Sequence, residues 1–383
     1  MADLITVSED SFIKSAHLSP HVPGLDLHGN TSLVVLKNPS TSGFSIPFTS
    51  ESEGKGLENQ GTGSKSRLQR IKYDKLTNQK THKKKKTYKC KVCDKTFFRI
   101  LDLNQHQRAH TVGMYRVKGQ ECVSTVIEAA LEAGYRSIDT ATGYRNEDLV
   151  AKSLSLFLPR NGLKREDIFI TSKLAPKDQG QEKSVKAVYL SLQKLSTVYL
   201  DLYLIHWPGT QGLSPEDSRN LEFRRQSWKA LEELYEEKKL RSIGVSNYTI
   251  KHLTEMLTYA KTMPHVLQVE YHPHYIQEDL RSFCKEHGIH LQAYSSLGTT
   301  VCNSPLLSDP VVLEISEKYN KTPAQILLKW AIQQEIGVLP KSQNPDHIKE
   351  NMMLDFIMED KDMKSLSSLG IRTKYAWDPS QVA

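Results

Sequence analysis

Short apolar or β-branched runs alternate with amphipathic stretches over most of this chain, from about Val112 onward. TVGMYRV, YRSIDTA, DIFITSK, LDLYLIH, LRSIGVSN, HVLQVEYH, IHLQAYSS and IGVLPKS each read as a buried strand bounded by polar or glycine positions. Between them, apolar residues recur at spacings of three and four, as in Val123, Ile127, Ala130 and Leu131, or Val185, Val188, Leu192 and Leu195. Trp228, Leu231 and Leu234, and Ile326, Leu327 and Trp330, repeat the pattern, which marks helices that bury one face. Alternation of this kind predicts an α/β protein with a parallel sheet. Eight such units in residues 112–383 fit a (β/α)8 TIM barrel, typically of about 250 residues. No G-x-G-x-x-G follows the first strand, which argues against a doubly wound dinucleotide fold.

Upstream the texture changes. Residues 1–86 carry no sustained period, and the run PSTSGFSIPFTSESEGKGLENQGTGSKS is rich in Ser, Gly, Thr and Pro, so a disordered leader is expected. The formal charge of +7 is unevenly spread, with 15 Lys and Arg against 3 Asp and Glu in residues 65–110. A segment that basic suits nucleic acid or an import receptor, and equally a solvated linker. Inside it, Cys90, Cys93, His106 and His110 stand at C-x2-C-x12-H-x3-H with Phe97 and Leu103 between them. This stretch, residues 87–111, resembles a two-cysteine, two-histidine zinc finger. The resemblance implies a Zn2+ ion that folds a small ββα unit, with Arg99, Asp102 and Gln105 at the base-reading positions. A single finger covers about three base pairs, so only weak nucleic-acid binding is expected.

Composition narrows the setting. There is no run of about 18 apolar residues and no basic-then-apolar N-terminus, so neither a membrane span nor a secretory signal is expected. Five scattered cysteines do not make a disulfide framework. A cytoplasmic monomer is expected, with nuclear entry through Lys83–Lys86 as the variant.

The chemistry collects where the barrel strands end. Asp139, Lys173, His206, Ser246 with Asn247, Gln268, Tyr294, and Lys341 with Ser342 fall at the C-terminal ends of successive strands, the face on which barrel enzymes build their sites. RSIDTATGYRNE, ITSKL, YLIHWP, SIGVSNY, QVEYHP, QAYSSLG and LPKS, in that order, resemble the aldo-keto reductase family over about residues 114–378.

The resemblance implies a reductase of aldehydes or ketones that uses NADPH, or NADH, with a tetrad of Asp139, Tyr144, Lys173 and His206. Hydride addition builds negative charge on the carbonyl oxygen, and Tyr144 would supply the proton as general acid. A phenol with a pKa near 10 is a weak acid at neutral pH, so Lys173, held by Asp139, is expected to lower it. His206 would bond the carbonyl oxygen. By the same resemblance Tyr294 would stack on the nicotinamide, and Ser246, Asn247 and Gln268 would bond its carboxamide. Ser295 and Leu297 would line the cofactor, Lys341 and Ser342 would hold the 2′-phosphate, and Asn351 the adenine. Trp207 would wall the substrate pocket.

Two features depart from the family pattern. His347 stands where the family usually has an arginine suited to bidentate phosphate contact, which weakens the expected preference for NADPH. Finger sequence also runs to within two residues of Gly113, so a shortened first strand with unmatched backbone groups is expected. The competing reading is a zinc-finger nucleic-acid-binding protein that carries an inactive or partly folded barrel.

Overall fold

A computed structural model describes residues 110–298 and 304–383, together with two short strands, β1 (Tyr88–Lys89) and β2 (Thr96–Phe97). These two pair antiparallel, Tyr88 with Phe97 and Lys89 with Thr96. Cys90, Cys93 and His106 lie outside the described residues, and so do the leader and the base-reading positions. Among the described residues no His, Cys, Asp and Glu form a metal-binding group, and no helix is long and apolar enough to cross a membrane.

The remaining strands form one parallel sheet in strict sequence order. They are β3 (Thr111–Gly113), β4 (Ser137–Asp139), β5 (Phe169–Leu174), β6 (Leu202–Ile205), β7 (Ile243–Ser246), β8 (Val266–Glu270), β9 (His290–Tyr294) and β10 (Gly337–Val338). Helices cover the outside of the sheet, so its strands are buried on both faces and read as continuous apolar runs rather than alternating ones. β6 and β7 are buried at every position. The eight parallel strands make the (β/α)8 barrel expected from the strand–helix alternation.

The first strand is three residues long, yet all three pair with β4, Thr111 with Ser137, Val112 with Ile138 and Gly113 with Asp139. On its other side the Gly113 N–H donates to the Pro340 carbonyl at 3.0 Å, which joins β3 to the segment after β10. A Cβ at Gly113 would sit 3.2 Å from the Leu339 carbonyl oxygen, a tight approach that the glycine relieves. His110 belongs to the same construction. Its backbone carbonyl accepts from the N–H groups of Arg136 and Ser137, and its Nδ1 lies 2.7 Å from the Gly134 oxygen.

The helices are set by local sequence. α1 (Gln120–Ala133) buries Val123, Val126, Ile127 and Ala130 and stops at Gly134, whose φ of 97° favours glycine. The helix Pro323–Gln333 opens on a capping box in which Thr322 and Gln325 satisfy each other's backbone, with Pro323 in the first turn. It is buried from Gln325 to Ile332, and Trp330 stacks on Tyr271 at 5.3 Å between ring centroids.

One glycine carries an exceptional steric demand. A Cβ at Gly244 of β7 would meet the Val266 carbonyl oxygen at 2.3 Å and Leu204 Cδ2 at 2.8 Å. Gly244→Ala is therefore expected to destabilise the barrel by about 3 kcal/mol, the upper end for overpacking a closed core. Chemical denaturation would register this, and an unchanged midpoint would contradict the close approach.

Candidate active site

Three of the four tetrad residues are placed by strand ends and the fourth by a turn. Asp139 is the last residue of β4, Lys173 the penultimate residue of β5, and His206 directly follows β6. Tyr144 ends a single 3-10 turn, Thr142–Tyr144, pinned by a hydrogen bond from Thr142 Oγ1 to the Lys173 carbonyl at 2.9 Å. Asn146, fully buried, donates through Nδ2 to the carbonyls of Met114 and Val117 at 2.9 Å each and accepts from Thr140 Oγ1 at 2.6 Å. It ties the loop after β3 to the loop after β4.

The centre of the site is an ion pair. Lys173 Nζ donates to Asp139 Oδ1 at 2.5 Å, to the Thr140 carbonyl at 2.9 Å and to Tyr144 Oη at 3.3 Å. Both members are sealed, with side-chain exposures of 0% for Lys173 and 5% for Asp139. Tyr144 and His206 are half-buried, and their rings meet edge to face at 5.6 Å between centroids. The sequence motifs thus converge on one cluster of Asp139, Lys173, Tyr144 and His206.

The electrostatics of the cluster are dominated by burial. Burial pushes the Tyr144 phenol well above its ordinary 10, and Asp139, Tyr115 and Tyr294 push it further the same way. Lys173 Nζ, 3.3 Å from the Tyr144 hydroxyl, is at the same time paired with Asp139. Burial lowers the Lys173 ammonium, against which Asp139 acts to retain the proton. Burial and the Lys173 charge together bring His206 down to about 3, so its imidazole is neutral at physiological pH.

The expected cofactor residues form a second ring around this cluster. Asn247, whose φ of 65° is a left-handed conformation that Asn tolerates, donates through Nδ2 to the His206 carbonyl at 2.9 Å and to Ser246 Oγ at 3.1 Å. Its Oδ1 accepts from Tyr294 Oη at 2.6 Å. The Asn247 amide is thereby committed to holding Tyr294, Ser246 and His206 together. Gln268 donates to Asp139 Oδ2 at 2.9 Å, which places it behind the ion pair. Ser295 follows Tyr294 with a φ of 50°, and the Leu297 carbonyl accepts from Ser304 Oγ at 3.0 Å.

Farther along the rim, Lys341 and Ser342 are half-buried and follow β10. Lys341 has no ion-pair partner among the described residues, and Ser342 Oγ accepts from the Asn344 N–H at 3.1 Å. Asn351 is buried at the end of the helix Pro345–Glu350, on which His347 is exposed. Trp207 is half-buried, its carbonyl held by Gln179 Nε2 at 2.8 Å.

Two parts of the site carry no motif. Tyr115, in the loop after β3, packs edge to face on Tyr144 at 5.3 Å. The only signal for it was its position, an aromatic just past a strand's C-terminal end. The other part is the C-terminal tail. Fully buried Glu270 takes the Lys374 ammonium at 2.9 Å and the backbone N–H groups of Tyr375 and Ala376 at 2.5 and 3.0 Å. The Val382 carbonyl takes His252 Nε2 at 3.1 Å, and the Ala383 N–H reaches the Pro215 carbonyl at 2.7 Å. A Cβ at Gly209 would touch both the Trp207 ring and Val382, so the tail passes beside Trp207.

A family model described as the Aldo/keto reductase family matches residues 111–371. The chain is 40% identical over 269 residues to a 9,11-endoperoxide prostaglandin H2 reductase of Trypanosoma cruzi, which covers 70% of this chain and 89% of that protein. It is 38% identical over 272 residues to a glyoxal reductase of Bacillus subtilis, covering 71% and 92% respectively. Among solved structures, an aldo-keto reductase enzyme from a Medee basin deep-sea metagenome library aligns with a TM-score of 0.65 and 38% identity, over 71% of this chain and 95% of that one.

The neutral state of His206 has a measurable consequence. Between pH 6.5 and about 3 the unfolded chain binds a proton at this residue that the folded chain refuses. Stability is then lost as pH falls through that window, because the unfolded state binds more protons there. His252, lowered to about 4, acts in the same sense. His206→Asn is expected to flatten the acid limb of a denaturation-midpoint profile, and an unaltered limb would show that His206 titrates alike in both states.

Proposed function

The chain belongs to the aldo/keto reductase family and is an NAD(P)H-dependent enzyme of carbonyl reduction, and we propose that it reduces aldehydes or ketones to alcohols with NADPH as cofactor and Tyr144 as proton donor. The observation that carries this reading is the contact of Lys173 Nζ with Asp139 and with Tyr144 Oη, beside neutral His206.

The donor set fits a nicotinamide cofactor. Tyr294 presents a ring whose hydroxyl is tied down by Asn247, and the Ser246 hydroxyl accepts from Asn247 and keeps its own proton to donate. Lys341, a cation without an ion-pair partner among the described residues, stands beside the Ser342 hydroxyl and supports phosphate binding there. Ser295 and Leu297 continue the cofactor wall after β9, and Asn351 is the candidate for the adenine. His347 in place of a guanidinium makes NADH a competitor. When bound, the cofactor supplies the hydride.

The residues of the chain do the rest. His206, being neutral, orients the carbonyl oxygen with an N–H and adds no charge that the substrate would have to desolvate. The Tyr144 phenol is protonated over the whole physiological range, so it stands ready as a donor. Its acidity is needed only as charge develops. A nascent phenolate 3.3 Å from the Lys173 ammonium is stabilised at that moment, in a setting where such attraction is stronger than in water. Asp139 opposes the loss of the Lys173 proton that burial favours. Trp207 and the Val382 end of the tail bound the space left to the substrate.

The spacing of Cys90, Cys93, His106 and His110 supports a Zn2+ ion and weak nucleic-acid contact as additions to this function. Nothing among the described residues favours the alternative of a nucleic-acid-binding protein with an inactive barrel.

Tyr144→Phe removes the donor and leaves the ring. Turnover of a generic aromatic aldehyde is expected to fall by about 10²- to 10⁴-fold, the usual worth of a positioned acid. NADPH quenching of tryptophan fluorescence should persist. Undiminished turnover in that variant would exclude Tyr144 as the acid.

A further inference from the structure

Gln268 and Gln292 are register partners on β8 and β9, so their side chains project from the same face of the sheet. Gln268 Nε2 donates to Asp139 Oδ2 at 2.9 Å and to Gln292 Oε1 at 3.2 Å. A carboxylate can only accept, so the Gln268 amide must turn its nitrogen toward Asp139. Both of its N–H groups are then committed, one to each partner. Its carbonyl oxygen accepts from no described residue.

Gln292 has space to do this because of the next strand. Its register partner on β10 is Gly337, and a Cβ there would approach Gln292 Cγ to 3.3 Å. The glycine leaves room for the Gln292 stem, Gln292 takes one N–H of Gln268, and Gln268 gives the other to the carboxylate that holds Lys173. A line of polar contacts thus crosses the barrel from β9 to the catalytic cluster.

We propose that Gln292 is a positioning residue of the reductase site. It locks the amide plane of Gln268 so that one N–H fixes Asp139 against Lys173 and the carbonyl oxygen is held open to a carboxamide N–H donor of the nicotinamide cofactor. This rests on the reductase reading above. Gln292 touches neither cofactor nor substrate and acts through Gln268. Without it, the amide keeps its bond to Asp139 but rotates about that bond, and its oxygen no longer has a fixed direction.

The test compares Gln292→Met, which keeps length and loses the acceptor, with Gln292→Glu, which keeps an acceptor in place. NADPH affinity is read from fluorescence quenching, turnover from an aromatic aldehyde, and folding from the thermal midpoint. Gln292→Met should weaken NADPH binding and lower kcat by about three- to tenfold each, the worth of one hydrogen bond, with little change in midpoint. Gln292→Glu should recover most of the affinity. In a Gln268→Met background, Gln292→Met should add nothing further, because its only route is gone. Unchanged affinity and kcat in Gln292→Met, or full additivity with Gln268→Met, would overturn the proposal and leave the reductase reading intact. Wild-type protein that neither binds NADPH nor reduces any aldehyde would remove both.

Discussion

The buried pair of Lys173 and Asp139 is the constraint around which the site is organised. Two opposite charges with side-chain exposures of 0% and 5% are tolerated only because each is almost completely hydrogen-bonded. Lys173 spends its donors on Asp139, the Thr140 carbonyl and Tyr144 Oη, while Asp139 takes Lys173 on one oxygen and Gln268 on the other. Replacing such a pair by apolar residues often costs a fold nothing, so its presence here is better accounted for by chemistry than by stability. It holds the Lys173 Nζ against a phenol, with Asp139 opposing the loss of the proton that burial favours.

The barrel supplies this arrangement cheaply in structural terms. Neighbouring parallel strands bring residues distant in sequence to one rim, and short polar ties fix the loops that rise from it. Asn146 fastens the loop after β3 to the turn that carries Tyr144, and Asn247 fastens Tyr294 and the carbonyl of His206. The first strand has only three residues, but its pairing with β4 and the bond from Gly113 to Pro340 reach the level of Asp139, where the site begins.

The sequence was informative wherever chemistry coincides with strand ends. Alternation of apolar runs and helical periods led to the barrel, and the residues at the ends of those runs included Asp139, Lys173 and His206, which the structure clusters with Tyr144, a residue that only the resemblance pointed to. Its limits are physical. Periodicity cannot show that Asn247 and Gln268 spend their amide protons on the protein, since that follows from distances across strands. It also cannot give the net field at Tyr144. From residue types alone Lys173 should acidify the phenol, whereas burial, with the Asp139 charge, pushes it up in the structure. Tyr115 and the C-terminal tail reach the site through tertiary packing with no periodic or motif signature. Cys90, Cys93 and His106 lie outside the described residues, so the fingerlike spacing stands on sequence.

The most direct test of the account separates the stability of the ion pair from its chemistry. Lys173→Met alone strands a buried carboxylate and should cost about 3–5 kcal/mol, whereas Lys173→Met combined with Asp139→Asn should recover most of that loss. Turnover of an aromatic aldehyde with NADPH should be absent from both. Recovery of stability without activity would show that the pair is kept for catalysis. Turnover in the double variant close to that of the wild type would contradict the role assigned to Lys173 and Asp139.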